Sequence, residues 1–92
     1  MASSFATGKF ALRALSQSLA REYGPQGVHV SHLIIDGVID IPKSKNLVIK
    51  EGAERDGKID TDEIADVYWT LFTQGKSGWT HELDIRPYVE KW

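Results

Sequence analysis

Along Ser4 to Tyr23 the strong hydrophobes fall at Leu12, Leu15, Leu19 and Tyr23, three and four residues apart. That spacing predicts a helix over about 4–23 with one apolar stripe. Phe10, Ala14, Gln17 and Ser18 lie on another side, where small residues let a second helix approach closely. Ser3 or Ser4 supplies the hydroxyl that satisfies a free amide of the first turn. Gly8 costs a helix about 1 kcal/mol against alanine, so its place here predicts close packing against the backbone. Gly24-Pro25 stops the helix, because proline cannot continue the hydrogen-bond ladder.

The period then changes. Residues 28–35, Val-His-Val-Ser-His-Leu-Ile-Ile, are β-branched and nearly continuously apolar, as in a strand of a parallel sheet covered on both faces. Asp36-Gly37 ends it. Residues 36–60 are mostly polar, with an apolar cluster at Leu47, Val48 and Ile49, and read as a loop or short helix closing over a site. A second helix follows over 61–73, with Asp60 as its cap and Glu63 as the capping-box partner. Ile64, Val67, Tyr68, Leu71 and Phe72 give it a core-facing stripe. Gln74 to Gly78 is an exit turn, 79–85 alternates as a last strand, and Arg86-Pro87 ends that strand.

The order helix, strand, loop, helix, strand is that of an α/β protein. Two parallel strands and two helices do not make a stable sheet unaided. Both strands read as central strands, so 1–92 is expected to be a single partial domain. Its sheet would be completed by further copies of the chain or by a missing N-terminal portion of the same domain. In open α/β sheets ligands lie beyond the carboxyl ends of the strands, which puts a site at Asp36 to Pro42.

Composition narrows the function classes. A net charge of −2 over 92 residues, with no basic cluster, gives nucleic acid or a membrane surface nothing to bind. Cysteine is absent, which removes disulfides, thiolate catalysis and cysteine-ligated zinc. No run reaches the ~18 apolar residues of a membrane span. Met1-Ala2-Ser3-Ser4 lacks the basic start of a signal peptide, so a cytoplasmic location is expected.

The run Phe5-Ala-Thr-Gly-Lys9, the helix after it, the Gly24-Pro25 turn and the strand to Ile35 resemble the catalytic-helix region of the short-chain dehydrogenases/reductases. Residues 60–71 resemble that family's next helix, and Trp79 to Pro87 the last strand of one of its branches. The resemblance implies the C-terminal part of a Rossmann-like, doubly wound parallel sheet. The parent activity it implies is NAD- or NADP-dependent hydride transfer between an alcohol and a carbonyl.

Residue by residue, Lys9 matches the family lysine that binds the nicotinamide ribose and favours the phenolate of the catalytic tyrosine. Phe5 stands in the tyrosine position and has no proton to exchange, so it reads as a packing residue. The family's glycine-rich phosphate turn, catalytic asparagine and catalytic serine would all precede Met1. Asp36 replaces the family proline and Ile41 a cofactor-holding threonine, while backbone groups of Gly37 and Ile39 match those facing the carboxamide. Hydride transfer by this chain alone is therefore not expected.

Two other classes stay open. One is a non-catalytic module that assembles through the first helix as a homo-oligomer. The other is a calcium loop. Aligned to an EF-hand, Gly52–Glu63 places Glu54, Asp56, Gly57, Ile59, Asp60 and Glu63 at positions 3, 5, 6, 8, 9 and 12. Gly52 stands where the first aspartate ligand belongs, and an acidic loop feeding a capped helix explains the same residues. His29 and His32 point to opposite strand faces and cannot share a metal, and His81 diverges from Glu82. Pairing with backbone or carboxylate is expected for all three histidines. Trp69, Trp79, Tyr88 and Trp92 read as packing or interface aromatics.

Overall fold

The computed structural model describes residues 2–45 and 57–90. In chain order these form α1 (Ala2–Tyr23), a 3-10 turn at Gly24–Gln26, β1 (His32–Ile35), β2 (Val38–Ile39), a 3-10 turn at Pro42–Ser44 and β3 (Lys58–Ile59). Then come α2 (Thr61–Phe72), a 3-10 turn at Lys76–Gly78 and β4 (Glu82–Ile85). β1 neighbours β4, and β2 neighbours β3. The class is α/β with parallel strands, as expected. The chain divides into two compact units, one of Met1–His32 with Gln74–Leu83 and one of Leu33–Thr73 with Asp84–Trp92.

In the first unit α1 begins at Ala2 and ends where Gly27, at φ 88°, returns its N–H to the Gly24 carbonyl at 2.9 Å. Only a residue without a Cβ takes that left-handed turn at no steric cost. Val28 N–H bonds the Tyr23 carbonyl at 3.2 Å, which closes the helix end. The strand ladder is shorter than the 28–35 and 79–85 expected from the sequence. The reason lies in the side chains upstream of it. His29 Nε2 and Ser31 Oγ both reach the Thr80 carbonyl, at 2.8 and 2.7 Å. Gln74 takes the Thr80 N–H at 2.8 Å, and His81 Nδ1 lies 3.0 Å from the Val30 carbonyl. Side chains thus occupy groups that a longer ladder would use. Regular pairing starts with His32 N–H to the His81 carbonyl, at 2.7 Å.

α1 is exposed along most of its length. Phe5, Phe10, Leu12 and Leu15 are all exposed, and its half-buried residues are Arg13, Ser16, Gln17, Leu19 and Ala20. The close packing expected at Gly8 is not there: nothing lies within 4 Å of where a Cβ would stand. The part of α1 that is covered starts at Arg13, more than a turn beyond Gly8.

In the second unit Asp36 N–H bonds the Ile85 carbonyl at 2.9 Å. Its offset along the chain equals that of the His32–His81 bond, which is the mark of parallel strands. β1 is half-buried throughout and not covered on both faces. Within the stretch expected to be loop, β2 and β3 pair in parallel, Val38 with Lys58 and Ile39 with Ile59. Leu47, Val48 and Ile49 lie outside the described residues. Asp60 caps α2 by accepting from the Asp62 N–H at 2.7 Å, while Glu63 is exposed and lines a cleft. Ile64 and Leu71 of α2 are buried with Ile59 of β3, and Val67 is half-buried. Tyr68 and Phe72, expected in the stripe, are exposed beside Trp69. Among the described residues no helix is long and apolar enough to cross a membrane.

Candidate functional site

Lys9 and Phe5 sit one turn apart on α1, in the first unit. Both are exposed, and the Lys9 ammonium lies 5.5 Å from the centroid of the Phe5 ring. Phe5 is 67 % exposed, so it does not pack into a core as read from the sequence. It offers the lysine a ring face, where a tyrosine would also offer a hydroxyl. The remainder of this unit's polar chemistry centres on Glu82. Arg13 Nε and Nη2 donate to its two oxygens at 2.7 and 2.8 Å, and His32 Nδ1 lies 3.3 Å from Oε1. The Arg13 bonds, and after them the His32 bond, hold the Glu82 carboxyl below its ordinary range.

Gly37 and Ile39 belong to the second unit. Gly37 follows the carboxyl end of β1, where a Cβ would stand 2.9 Å from Pro87 Cδ and 3.2 Å from Ile59 Cδ1. The close approach excludes any side chain there. Ile39 lies in β2, in register with Ile59. Beyond it Ser44 is buried, with its hydroxyl 2.6 Å from the Ile39 carbonyl and accepting the Ile41 N–H at 3.1 Å. Lys58 Nζ donates to the Ser44 carbonyl at 2.6 Å. The Ser44 hydroxyl thus bridges the Ile39 carbonyl and the Ile41 N–H, and Lys58 of β3 holds the Ser44 carbonyl in turn. Ile41 itself is exposed and brings no hydroxyl.

A cleft of about 460 Å³ opens in the same unit, lined by Lys58, Asp60 and Glu63 on one side and by Ile85 to Tyr88 on another. It lies past the carboxyl end of β4, the position an open α/β sheet reserves for ligands.

The three histidines are paired as expected. His29 also stacks on Trp79, with ring centroids 4.6 Å apart and planes 5° from parallel. Of the alternative calcium loop, residues 52–56 lie outside the described set. Gly57 is buried, Ile59 is in β3, and Asp60 is committed to capping α2. Among the described residues no group of three His, Asp or Glu side chains stands ready for a metal.

Sequence reasoning passed over Arg13, Ser44, Glu82 and Arg86, which carry most of the side-chain bonds around these elements. Arg86 and Asp84 alternate on a strand and so share a face, which was a readable signal. The pairing of Arg13 with Glu82 joins residues far apart in the chain and left none, and the Ser44 bonds to Ile39 and Ile41, though local, form only in the 3-10 turn that Ser44 closes.

No protein-family model and no curated protein sequence matches the chain. A solved structure does: the crystal structure of a short-chain dehydrogenase from Rhodopseudomonas palustris. It is 42 % identical over 91 % of this chain, with a TM-score of 0.60. The chain spans 29 % of that protein's length. The match agrees with an α/β, Rossmann-like architecture.

Proposed function

We propose that the chain is the C-terminal portion of a short-chain dehydrogenase/reductase domain, an oxidoreductase family, with Phe5 in the tyrosine position. The 42 % identity over 91 % of its length to a short-chain dehydrogenase carries this reading. Lys9 keeps the place of the ribose-binding lysine, and the backbone at Gly37 and Ile39 keeps that of the groups facing a nicotinamide carboxamide. NAD or NADP would be the cofactor of the whole domain. Lys9 would orient the ribose through its ammonium, and the 36–60 region would lie over the substrate.

The chain alone has no general acid/base at position 5 and no glycine-rich turn for the phosphates, so we expect it to transfer no hydride. The sheet is completed by the N-terminal portion of the same domain. The half-buried faces of β1 and the exposed apolar residues of α1 favour that over an isolated unit. Reading the DNA immediately upstream of Met1 tests it. An in-frame glycine-rich turn and a serine ahead of Phe5 support the reading, and their absence counts against it.

A second reading is homo-oligomeric assembly through α1, which Phe5, Phe10, Leu12 and Leu15 favour by being exposed. Light scattering decides it, a monomer being the result against.

A further inference from the structure

Two strand ends meet in the second unit, and three contacts join them, with a fourth fixing the arginine on its own strand. Arg86 Nη1 lies 3.3 Å from Asp36 Oδ2, across from the end of β4 to the end of β1. Arg86 Nη2 lies 2.7 Å from Asp84 Oδ2, which fixes the guanidinium from its own strand. The Asp36 N–H is held by the Ile85 carbonyl at 2.9 Å. Pro87 then packs on Gly37 so closely that no Cβ fits between them. The arginine is well covered, its side chain 16 % exposed, while Asp36 is 50 % exposed.

An aspartate does not restrict its own backbone as a proline does, because its φ is free. The conformation of the turn at Asp36-Gly37 must therefore be set from outside. β2 starts at Val38, directly after that turn, and among the described residues its two residues have the short β3 as their one strand partner. A pair of two-residue strands is marginal by itself.

We propose that Arg86 is a positioning residue: by pairing with Asp36 it locks the Asp36–Gly37 turn and so holds the backbone of Val38 and Ile39 in register. The planar guanidinium suits this task, since its fork serves two carboxylates at once where a lysine ammonium is a point charge. The clamp gives Gly37 and Ile39 a fixed backbone without any ligand present. Its functional weight rests on the reading of those two residues as the cofactor-facing edge.

Amide hydrogen exchange on the chain without cofactor tests the clamp separately from that reading. The reporters are the Asp36 N–H, bonded to Ile85, and the Asp40 N–H, bonded to the Ile59 carbonyl at 2.8 Å. The Ile64 amide of α2 and the Thr73 amide that caps its end serve as internal references for the stability of the unit. Arg86→Gln should speed exchange at Asp36 and Asp40 by about threefold to tenfold, the range for loss of a partly exposed ion pair or a charged hydrogen bond. Ile64 and Thr73 should stay unchanged. Asp36→Asn, at a half-exposed site that does not threaten folding, should do the same, and the double variant should be no worse than the larger single effect. Arg86→Lys should give a smaller acceleration than Arg86→Gln. Unchanged exchange at Asp36 and Asp40, an equal rise at Ile64 and Thr73, or additive effects in the double variant would overturn the proposal.

Discussion

Arg13 and Glu82 form a doubly bonded ion pair, Nε to Oε1 at 2.7 Å and Nη2 to Oε2 at 2.8 Å, that ties α1 to the start of β4. α1 has few other anchors, since most of its apolar side chains are exposed. The Arg13 fork, with the neighbouring His32, lowers the pKa of Glu82 from its ordinary value of 4.5. A carboxylate whose folded pKa is depressed adds stability above its unfolded pKa and loses it as pH falls through the folded value. We therefore expect α1 to loosen below about pH 4.5, and Glu82→Gln to weaken that part of the acid transition. Circular dichroism across an acid titration of both forms checks this. Identical acid limbs would contradict it.

Arg13→Lys should restore little of what Arg13→Ala loses, because one ammonium cannot make both bonds of the fork. Thermal melts of the two variants against the parent chain measure the difference. Lysine performing as well as arginine would show that charge alone suffices.

Gly37 and Gly8 are predicted to respond oppositely to alanine. At Gly37 the new methyl would meet Pro87 Cδ at 2.9 Å and Ile59 Cδ1 at 3.2 Å, and overpacking of this kind costs about 1–3 kcal/mol. At Gly8 the space is open and the residue is inside a helix, so alanine should stabilise α1 by about 0.5–1 kcal/mol. Chemical denaturation of each variant gives the sign directly.

The buried Ser44 hydroxyl accepts the Ile41 N–H at 3.1 Å. Ser44→Ala removes that bond and the hydroxyl's own bond to the Ile39 carbonyl at 2.6 Å, while the Ile41 N–H keeps its 3.0 Å bond to the same carbonyl, so the cost is about 0.5–1.5 kcal/mol. Leu71→Ala should be strongly destabilising, by about 2–5 kcal/mol, whereas Phe72→Ala, at a residue 75 % exposed, should be nearly neutral. Denaturant midpoints of the three variants test the ranking.

What the sequence made legible was periodic or local. The helices α1 and α2, the Gly24-Pro25 stop and the Asp60 cap are each written within a few residues and each appears in the structure, although the expected apolar stripe of α1 and part of that of α2 are exposed. The pairing of β2 with β3 was not legible, because Ile59 stands alone among polar neighbours and only its partner Ile39 makes it a strand residue. Likewise Gly8 read as a packing site, since a helical glycine looks the same whether its surroundings are crowded or open. The candidate site divides in the same way. Lys9 and Gly37 were assigned by the resemblance of their motifs alone, while Arg86 meeting Asp36 depends on β1 and β4 lying side by side.

The central proposal is that Lys9 keeps the ribose-binding place of a hydride-transfer site whose general acid/base position holds Phe5. The most direct measurement is spectroscopic detection of reduced nicotinamide when the purified chain is given NAD or NADP with a panel of alcohols. The account predicts no turnover above the protein-free blank, and none after Phe5→Tyr, because the phosphate-binding turn would still be lacking. Turnover by either form that disappears with Lys9→Ala would contradict it.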